Sequence, residues 1–204
     1  DRSPSRGLGD VYKRQRPRQA RAQETVAAIV EATARLLEED GHRAFSTNAV
    51  ARRAGVSIGS LYQYFPDKDA LIGAVVAREG DRLFEAAEAA ASVPSGKDAL
   101  GRLISAAVAD QFRRPGLARL LDFEEARLPF DAGVRSLDER FRRLLGEILH
   151  REDMPPQADP PAAARDILAI VKGMVNSAGA EGERDTSGLA RRVRRAVFGY
   201  LETA

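Results

Sequence analysis

The sequence contains no cysteine and only two histidines, His42 and His150. Without cysteine, the chain can form no disulfide bond and carries no thiol chemistry, which is compatible with a reducing compartment. Two histidines that are distant in the sequence do not resemble the clustered ligands of a histidine-based metal site. We therefore expect a cytoplasmic protein that binds no metal ion and no cofactor.

Long apolar runs are also missing, since no stretch approaches the roughly 20 residues that cross a bilayer. The sequence has no glycine-rich phosphate loop, no zinc-ligand spacing and no nucleophile elbow. Its adjacent acids, Glu124–Glu125 and the run 38–40, fit solvated helix surfaces better than a catalytic pair. These absences predict a protein that is neither an enzyme nor a membrane protein.

The alternating pattern of β-strands does not appear, and apolar residues recur instead at helical spacing. Glycine and proline separate the apolar stripes, as they do between helices. After a first helix and two short ones, the pattern predicts helices over 67–91, 97–112, 117–127, 131–151, 163–181 and 187–201. The expected fold is all-α with about nine helices.

The most informative segment runs from Thr47 to Leu71 and predicts two short helices joined by a tight turn. Ser46 or Thr47 can cap the first helix with its side-chain oxygen. Gly55 follows at the position where helices end in the left-handed conformation, and Ser57 caps the second helix. The proline at 66 ends that helix, so the segment is a helix-turn-helix.

The charge of this segment is locally basic, although the whole chain carries a net charge of only +2. Between residues 41 and 68 the basic side chains are Arg43, Arg52, Arg53 and Lys68, against the single acid Asp67. Basic side chains that neutralise phosphates supply most non-specific DNA affinity. The alternative is that Arg52 and Arg53 are ordinary solvated residues on a helix surface.

The stretch between about residues 23 and 71, roughly a quarter of the chain, resembles the DNA-binding domain of the TetR family of transcriptional repressors. The match is specific because the segment after the turn follows a LYxYFxxKxxL pattern. The matching residues are Asp40-Gly41, Phe45-Ser46-Thr47, Ala51, Ala54-Gly55-Val56-Ser57, Gly59, Leu61-Tyr62, Tyr64-Phe65 and Lys68.

This resemblance implies a dimeric repressor with an N-terminal three-helix DNA-binding domain and a C-terminal helical bundle for ligand binding and dimerisation. Its partners would be a double-stranded DNA operator and a small, largely apolar effector. We predict that the DNA-binding residues are Thr47, Arg52, Ser57, Ile58, Gly59, Ser60, Tyr62, Gln63, Tyr64 and Lys68. The alternative is an all-helical ligand-binding protein that acts through protein partners without binding an operator.

The first fifteen residues show no periodicity, and residues 10–15 resemble the translation of a common transposon-derived sequencing adapter. We expect residues 1–15 to be a non-native or disordered leader; a basic arm that tracks the minor groove is the alternative. The predicted domains are therefore residues 16–66, which bind DNA, and residues 67–204, which bind ligand and dimerise. A helix over 67–91 links the two.

In the family that the sequence resembles, the last two helices of each subunit pair across a two-fold axis. The apolar stripes of the last two predicted helices fit this role, with burial inside a single chain as the alternative. We predict that the dimer interface contains Ile167, Ile170, Val171, Met174, Val193, Val197 and Tyr200.

The bundle is also where an effector would bind, between helices that carry several aromatic side chains. We predict a ligand pocket formed by Phe112, Arg119, Phe123, Phe141, Met174 and Asn176, with Phe130 and Glu124 as further candidates. The alternative for each aromatic residue is an ordinary place in the core.

Overall fold

The computed structural model describes residues 8–127 and 133–203. Over these ranges the chain forms nine α-helices and no strand, which confirms the all-α fold expected from the sequence. They are α1 (Leu8–Ala44), α2 (Thr47–Ala54), α3 (Ile58–Tyr64), α4 (Lys68–Ala91), α5 (Gly96–Arg113), α6 (Pro115–Arg127), α7 (Gly133–Leu149), α8 (Pro160–Glu181) and α9 (Thr186–Glu202). No helix in these ranges combines the length and the apolar character needed to cross a membrane.

The chain divides into two compact units, one ending at Val75 and the other beginning at Val76. This division lies inside α4 and not between residues 66 and 67, where the sequence suggested a boundary. Leu71, Ile72 and Val75 are at most 2% exposed, so the first turns of α4 belong to the core of the first unit. The α4 helix is thus part of both units.

The first unit consists of α1 to α3 and the start of α4. Ile29, Ala34 and Leu37 of α1 are fully or almost fully buried, together with Val50 of α2. Backbone within residues 8–15 is helical and continues into the rest of α1, whereas the sequence suggested a leader without regular structure. The remaining leader residues, 1–7, lie outside the described part of the chain.

The second unit has a single apolar core to which α4, α5, α7, α8 and α9 contribute. The rings of Phe84 and Phe141 meet edge to face, with their centroids 5.1 Å apart. The loop after α7 holds this unit together at one end. There Arg151 donates hydrogen bonds to the carbonyls of Ala91 and Val93, and Asp153 accepts from the first amides of α5.

The residues predicted to form a dimer interface fall into two groups. Four of them are buried in the core of the chain's own second unit: Ile167, Val171, Val193 and Val197. Their side chains are already covered within one chain, as the intrachain alternative expects. Ile170, Met174 and Tyr200 remain partly exposed.

Candidate nucleic-acid interface and ligand cavity

The turn between α2 and α3 is built by caps that leave few backbone groups without hydrogen bonds. Ser46, and not Thr47, caps α2: its Oγ accepts a hydrogen bond from the amide of Ala49 at 3.1 Å. Gly55 ends α2 with φ 70°, a left-handed conformation that glycine adopts without steric cost. The amide of Val56 then donates to the carbonyl of Ala51 at 3.0 Å, which completes a C-terminal cap.

The second helix of the motif is capped in the same way. Ser57 Oγ accepts a hydrogen bond from the amide of Ser60 at 3.0 Å and lies 2.8 Å from the Ser60 hydroxyl. Leu61, which is fully buried, and Phe65, which is 8% exposed, anchor the inner side of the helix. Because so short a helix is marginal by itself, these caps and anchors hold it in place.

The outer side of α3 presents large side chains to solvent. Tyr62 is 50% exposed, and Ile58 and Tyr64 are each 38% exposed. The Tyr62 hydroxyl lies 3.2 Å from Thr47 Oγ1, and Lys68 Nζ lies 5.8 Å from the centre of the Phe45 ring. All ten residues predicted to bind DNA reach the surface of the first unit: Thr47 and Ser60 are half-buried and the other eight are exposed.

One basic residue of the motif makes an ion pair that the sequence did not indicate. Arg53 binds Glu39 of α1 through both guanidinium nitrogens, at 2.5 and 2.6 Å. These hydrogen bonds hold the pKa of Glu39 below its usual value. Arg53 therefore ties α2 to α1, and the basic character of the motif rests on fewer residues than the charge count implied.

A cavity of about 150 Å³ lies within the second unit, between residues of α4, α5, α6, α7 and α8. Most of its wall is apolar, with Leu83, Leu103, Leu121, Phe141 and Val171 among the lining residues. Five carboxylates and three basic side chains also line it. The cavity thus combines a large apolar surface with a charged region.

Asp122 of α6 is the centre of a hydrogen-bonded group on the cavity wall. Its two carboxylate oxygens accept hydrogen bonds from the side-chain amides of Gln111 and Asn176, each at 3.1 Å. Burial raises the pKa of Asp122, and the Gln111 hydrogen bond and the charge of Lys172 reduce this rise. Two neutral amides therefore hold a carboxylate that is partly removed from water.

Glu125 lies one helical turn after Asp122, so both side chains project from the same face of α6. Lys172 Nζ lies 3.8 Å from Glu125 Oε2 and 3.4 Å from Asp138 Oδ1. Burial raises the pKa of Glu125 as well, with the Lys172 charge acting against this rise.

A second group of charges lies where α4 and α5 meet in this unit. Glu79 binds Arg113 at 2.5 Å, Arg78 at 2.6 Å and Arg82 at 3.2 Å. Asp110 also pairs with Arg82, and burial raises the pKa of Asp110 more than this ion pair lowers it. The carboxylates of this group are outnumbered by arginines.

The cavity lining agrees only in part with the six residues that the sequence suggested. Phe141 and Asn176 line it. Phe112 and Met174 pack against the core without lining it, Arg119 is exposed, and Phe123 is 63% exposed. Of the further candidates, Glu124 is fully buried away from the lining, and Phe130 lies outside the described residues.

The polar lining residues were missed because charged positions within amphipathic helices look like solvated surface. The spacing of acidic and apolar residues along α6 nevertheless contained an indication of this. Asp122 and Glu125 share a helical face with Leu121, which is buried, so this face of α6 could have been recognised as mixed.

Both parts of the chain match known family models. Residues 29–75 match a model described as "Bacterial regulatory proteins, tetR family". Residues 97–201 match one described as "Tetracyclin repressor-like, C-terminal domain".

Curated relatives include two named transcriptional repressors. The HTH-type transcriptional repressor KstR of Rhodococcus jostii (strain RHA1) is 31% identical over 147 residues, which cover 70% of this chain and 66% of that protein. The HTH-type transcriptional repressor Rv3405c of Mycobacterium tuberculosis is 33% identical over 123 residues, 55% of this chain and 65% of that protein. The chain thus spans just under two thirds of the length of these relatives.

Solved structures share the fold. A TetR transcriptional regulator from Rhodococcus sp. RHA1 aligns with a TM-score of 0.66 at 25% identity, covering 86% of this chain and 94% of that one. FadR from Bacillus subtilis, solved in complex with stearoyl-CoA, aligns with a TM-score of 0.71 over 84% of this chain and 97% of that one. At 18% identity, FadR shows the common fold alone. Since the second family model covers more than half of the 204 residues and the first covers the helix-turn-helix, the chain belongs to the TetR family of bacterial regulatory proteins.

Proposed function

We propose that this protein is a cytoplasmic, dimeric transcriptional repressor that a small, largely apolar effector releases from a palindromic operator. The observation that carries the proposal is the outer surface of α3. It exposes Ile58, Tyr62 and Tyr64, three large side chains on a short helix whose position is set by caps at both ends. An exposed group of this kind on a capped second helix is what a major-groove reader presents.

Within this proposal, Thr47, Tyr64 and Lys68 contact phosphates and fix the orientation of the motif. Arg52, which is exposed near the end of α2, adds a further phosphate contact. Phosphate contacts position a protein on DNA without reading its sequence.

Sequence is read by residues of α3 and by its cap, Ser57. Ser57, Ser60, Tyr62 and Gln63 offer hydrogen-bonding groups to base edges, and the backbone at Ile58–Gly59 comes close to the groove. One helix of seven residues reads too few base pairs to be specific, so two copies must bind together. Ile170, Met174 and Tyr200, which keep accessible surface in the single chain, are the predicted residues that remain for the dimer contact.

Effector binding would act on DNA binding through α4. This helix contributes Glu79, Gly80 and Leu83 to the cavity wall and begins at Lys68, next to α3 in sequence. An effector that binds one conformation of the second unit more tightly than another shifts the population of the DNA-binding conformation. The structural neighbour FadR from Bacillus subtilis was solved in complex with stearoyl-CoA, so this fold is able to hold a small-molecule ligand.

The decisive experiment selects operator fragments from genomic DNA with the purified protein and then measures affinity by fluorescence anisotropy. Tyr62→Ala and Lys68→Ala should each weaken binding, and Lys68→Ala should also lower the salt slope by about one unit. The matched control is Arg102→Ala, because Arg102 is exposed on α5 in the second unit and its loss removes the same charge. Wild-type affinity in both interface variants would refute the assigned surface.

The oligomeric state is tested by light scattering at micromolar concentration. A dimer is expected for the wild-type chain and weaker association for Ile170→Glu combined with Met174→Glu. A monomeric wild-type protein that enriches no DNA fragment would favour the alternative, a helical ligand-binding protein that acts through protein partners.

A further inference from the structure

The charged region of the cavity contains more negative than positive charge, and the excess is local. Asp122, Glu125 and Asp138 lie along one side, with Lys172 as the basic residue near all three. Arg142 also approaches Asp138, at 4.0 Å. Arg142 lies closer to Glu139, at 3.4 Å, so Lys172 is the main cation beside these three carboxylates, while Arg113 and Arg114 also line the cavity.

Asp122 depends least on a cation, because its hydrogen bonds come from the neutral amides of Gln111 and Asn176. A neutral donor stabilises a carboxylate less than a charged one does. Burial also removes water from the carboxylates of Asp122 and Glu125, which is why it raises the pKa of both. A cation placed beside these two carboxylates would gain from both effects.

The neighbouring amide also offers an acceptor. Gln111 is 8% exposed, and its Nε2 donates to Asp122, so its carbonyl oxygen is left for another donor on the cavity wall. Among the described residues this Oε1 atom accepts no hydrogen bond. An N–H group of a ligand could donate a hydrogen bond to this oxygen as well as to the two carboxylates.

The carboxylates of Glu79 and Asp110 are a less favourable site for a ligand cation. Arg78, Arg82 and Arg113 already supply three guanidinium groups to these two carboxylates. A ligand cation there would compete with existing ion pairs. The preferred position for a positive charge is therefore beside α6, next to Asp122 and Glu125.

The apolar part of the cavity lining indicates which kind of molecule would carry the positive charge. Leu83, Leu103, Leu121 and Phe141 also line the cavity, and none of their side chains can hydrogen-bond to a ligand. Apolar walls of this kind favour an aliphatic or aromatic body.

We propose that the effector is an amphipathic organic amine, whose protonated nitrogen binds between Asp122, Glu125 and Gln111 Oε1 while its apolar body fills the remaining cavity. This inference rests on the proposed ligand-responsive function and names the class of ligand. It adds a positive charge to the small, largely apolar effector that the sequence suggested.

Three compounds with the same chain length and different charge test the proposal: octylamine, 1-octanol and octanoate. Binding of each to the full-length protein, without DNA, is measured by isothermal titration calorimetry. Octylamine should bind about tenfold more tightly than 1-octanol, in line with the greater strength of charge-assisted hydrogen bonds, and octanoate should bind most weakly.

Asp122→Asn and Glu125→Gln should each reduce octylamine affinity and leave that of 1-octanol unchanged, which separates loss of charge from loss of folding. The control is Glu88→Gln, which removes an exposed carboxylate of α4 outside the cavity. Equal affinities for the three compounds, no binding of any of them, or tighter binding of octanoate than of octylamine would overturn the proposal. These outcomes do not depend on operator binding, so failure of the regulatory role remains a separate result.

Discussion

The hydroxyl groups of Tyr62 and Thr47 lie 3.2 Å apart and join the two helices of the DNA-binding motif on their outer side. The pair is exposed, so we expect it to contribute no more than about 1 kcal/mol to the free energy of unfolding. Its effect on DNA binding should be larger, because the hydrogen bond orients both side chains before the operator arrives.

Thr47→Val and Tyr62→Phe should therefore each weaken operator binding, and the loss in the double variant should be smaller than the sum of the two single losses. Such non-additive behaviour is expected of two residues that act through one contact. Fluorescence anisotropy with a selected operator measures all four affinities. Losses that simply add would show that the two hydroxyls act independently.

The two adjacent arginines of α2 should differ in their effect on DNA binding. Arg52 is exposed, whereas Arg53 is bound to Glu39. Arg52→Gln should lower the salt slope of operator binding by about one unit, and Arg53→Gln should leave it unchanged. Arg53→Gln should instead reduce the free energy of unfolding by less than about 1 kcal/mol, as is usual for an exposed ion pair. Equal slopes for the two variants would contradict this assignment.

Alanine substitutions at Gly55 and Gly59, on either side of the turn, should also have different effects on stability and DNA binding. A methyl group at Gly59 would meet nothing closer than Ser57 Oγ at 3.9 Å, so the free protein can accommodate it. Gly59→Ala should fold normally but lose tenfold or more in operator affinity, about the 1–3 kcal/mol of a good base contact, because the new methyl group faces the groove.

Gly55→Ala is the matched comparison. Its left-handed φ of 70° should make alanine cost about 1 kcal/mol of stability with little direct effect on DNA. Thermal denaturation and anisotropy on both variants distinguish the two roles. Unchanged operator affinity in Gly59→Ala would show that the backbone there does not approach DNA.

The second unit should lose stability at low pH because of Asp153. Hydrogen bonds from the Ser95 hydroxyl and the amides of Gly96 and Lys97 lower the pKa of Asp153 to about 2. A carboxyl group with a lowered pKa stabilises the fold when ionised; this contribution is complete above its unfolded pKa and is lost as pH falls through the folded value.

Asp153→Asn should therefore be less stable than the wild type at neutral pH, and the difference should shrink between about pH 4 and pH 2. Urea denaturation at a series of pH values measures it. Glu152→Gln, which removes a neighbouring exposed charge, controls for the change in net charge. A difference that is constant with pH would show that the amides of α5 do not depend on the Asp153 charge.

Local chemistry explains why much of the first unit could be predicted from the sequence. A serine cap, a glycine at the end of a helix and a proline after it act over a few residues, and each of them works in the structure as its type suggests. Ser46 and Ser57 cap α2 and α3, and Gly55 has the expected left-handed backbone. The alternative cap at Thr47 failed because that residue already lies within α2.

The second unit was harder to predict because its features depend on which helix faces meet. An apolar stripe looks the same whether it meets its own chain or a partner, so Ile167 and Val193 were expected at an interface although the core covers them. Likewise, Asp122 and Lys172 have the sequence pattern of solvated charges. Only the arrangement of five helices places them on a cavity wall.

Gly80 of α4 lines the cavity where Leu137 of α7 approaches the α4 backbone closely. A methyl group added there would lie 2.5 Å from Cδ2 of Leu137, which itself lines the cavity. Any side chain at position 80 must therefore push Leu137 aside and change the space left for an effector. If the cavity holds the proposed effector, a single codon change at position 80 would alter the size of molecule that fits, without touching the exposed side chains of α3.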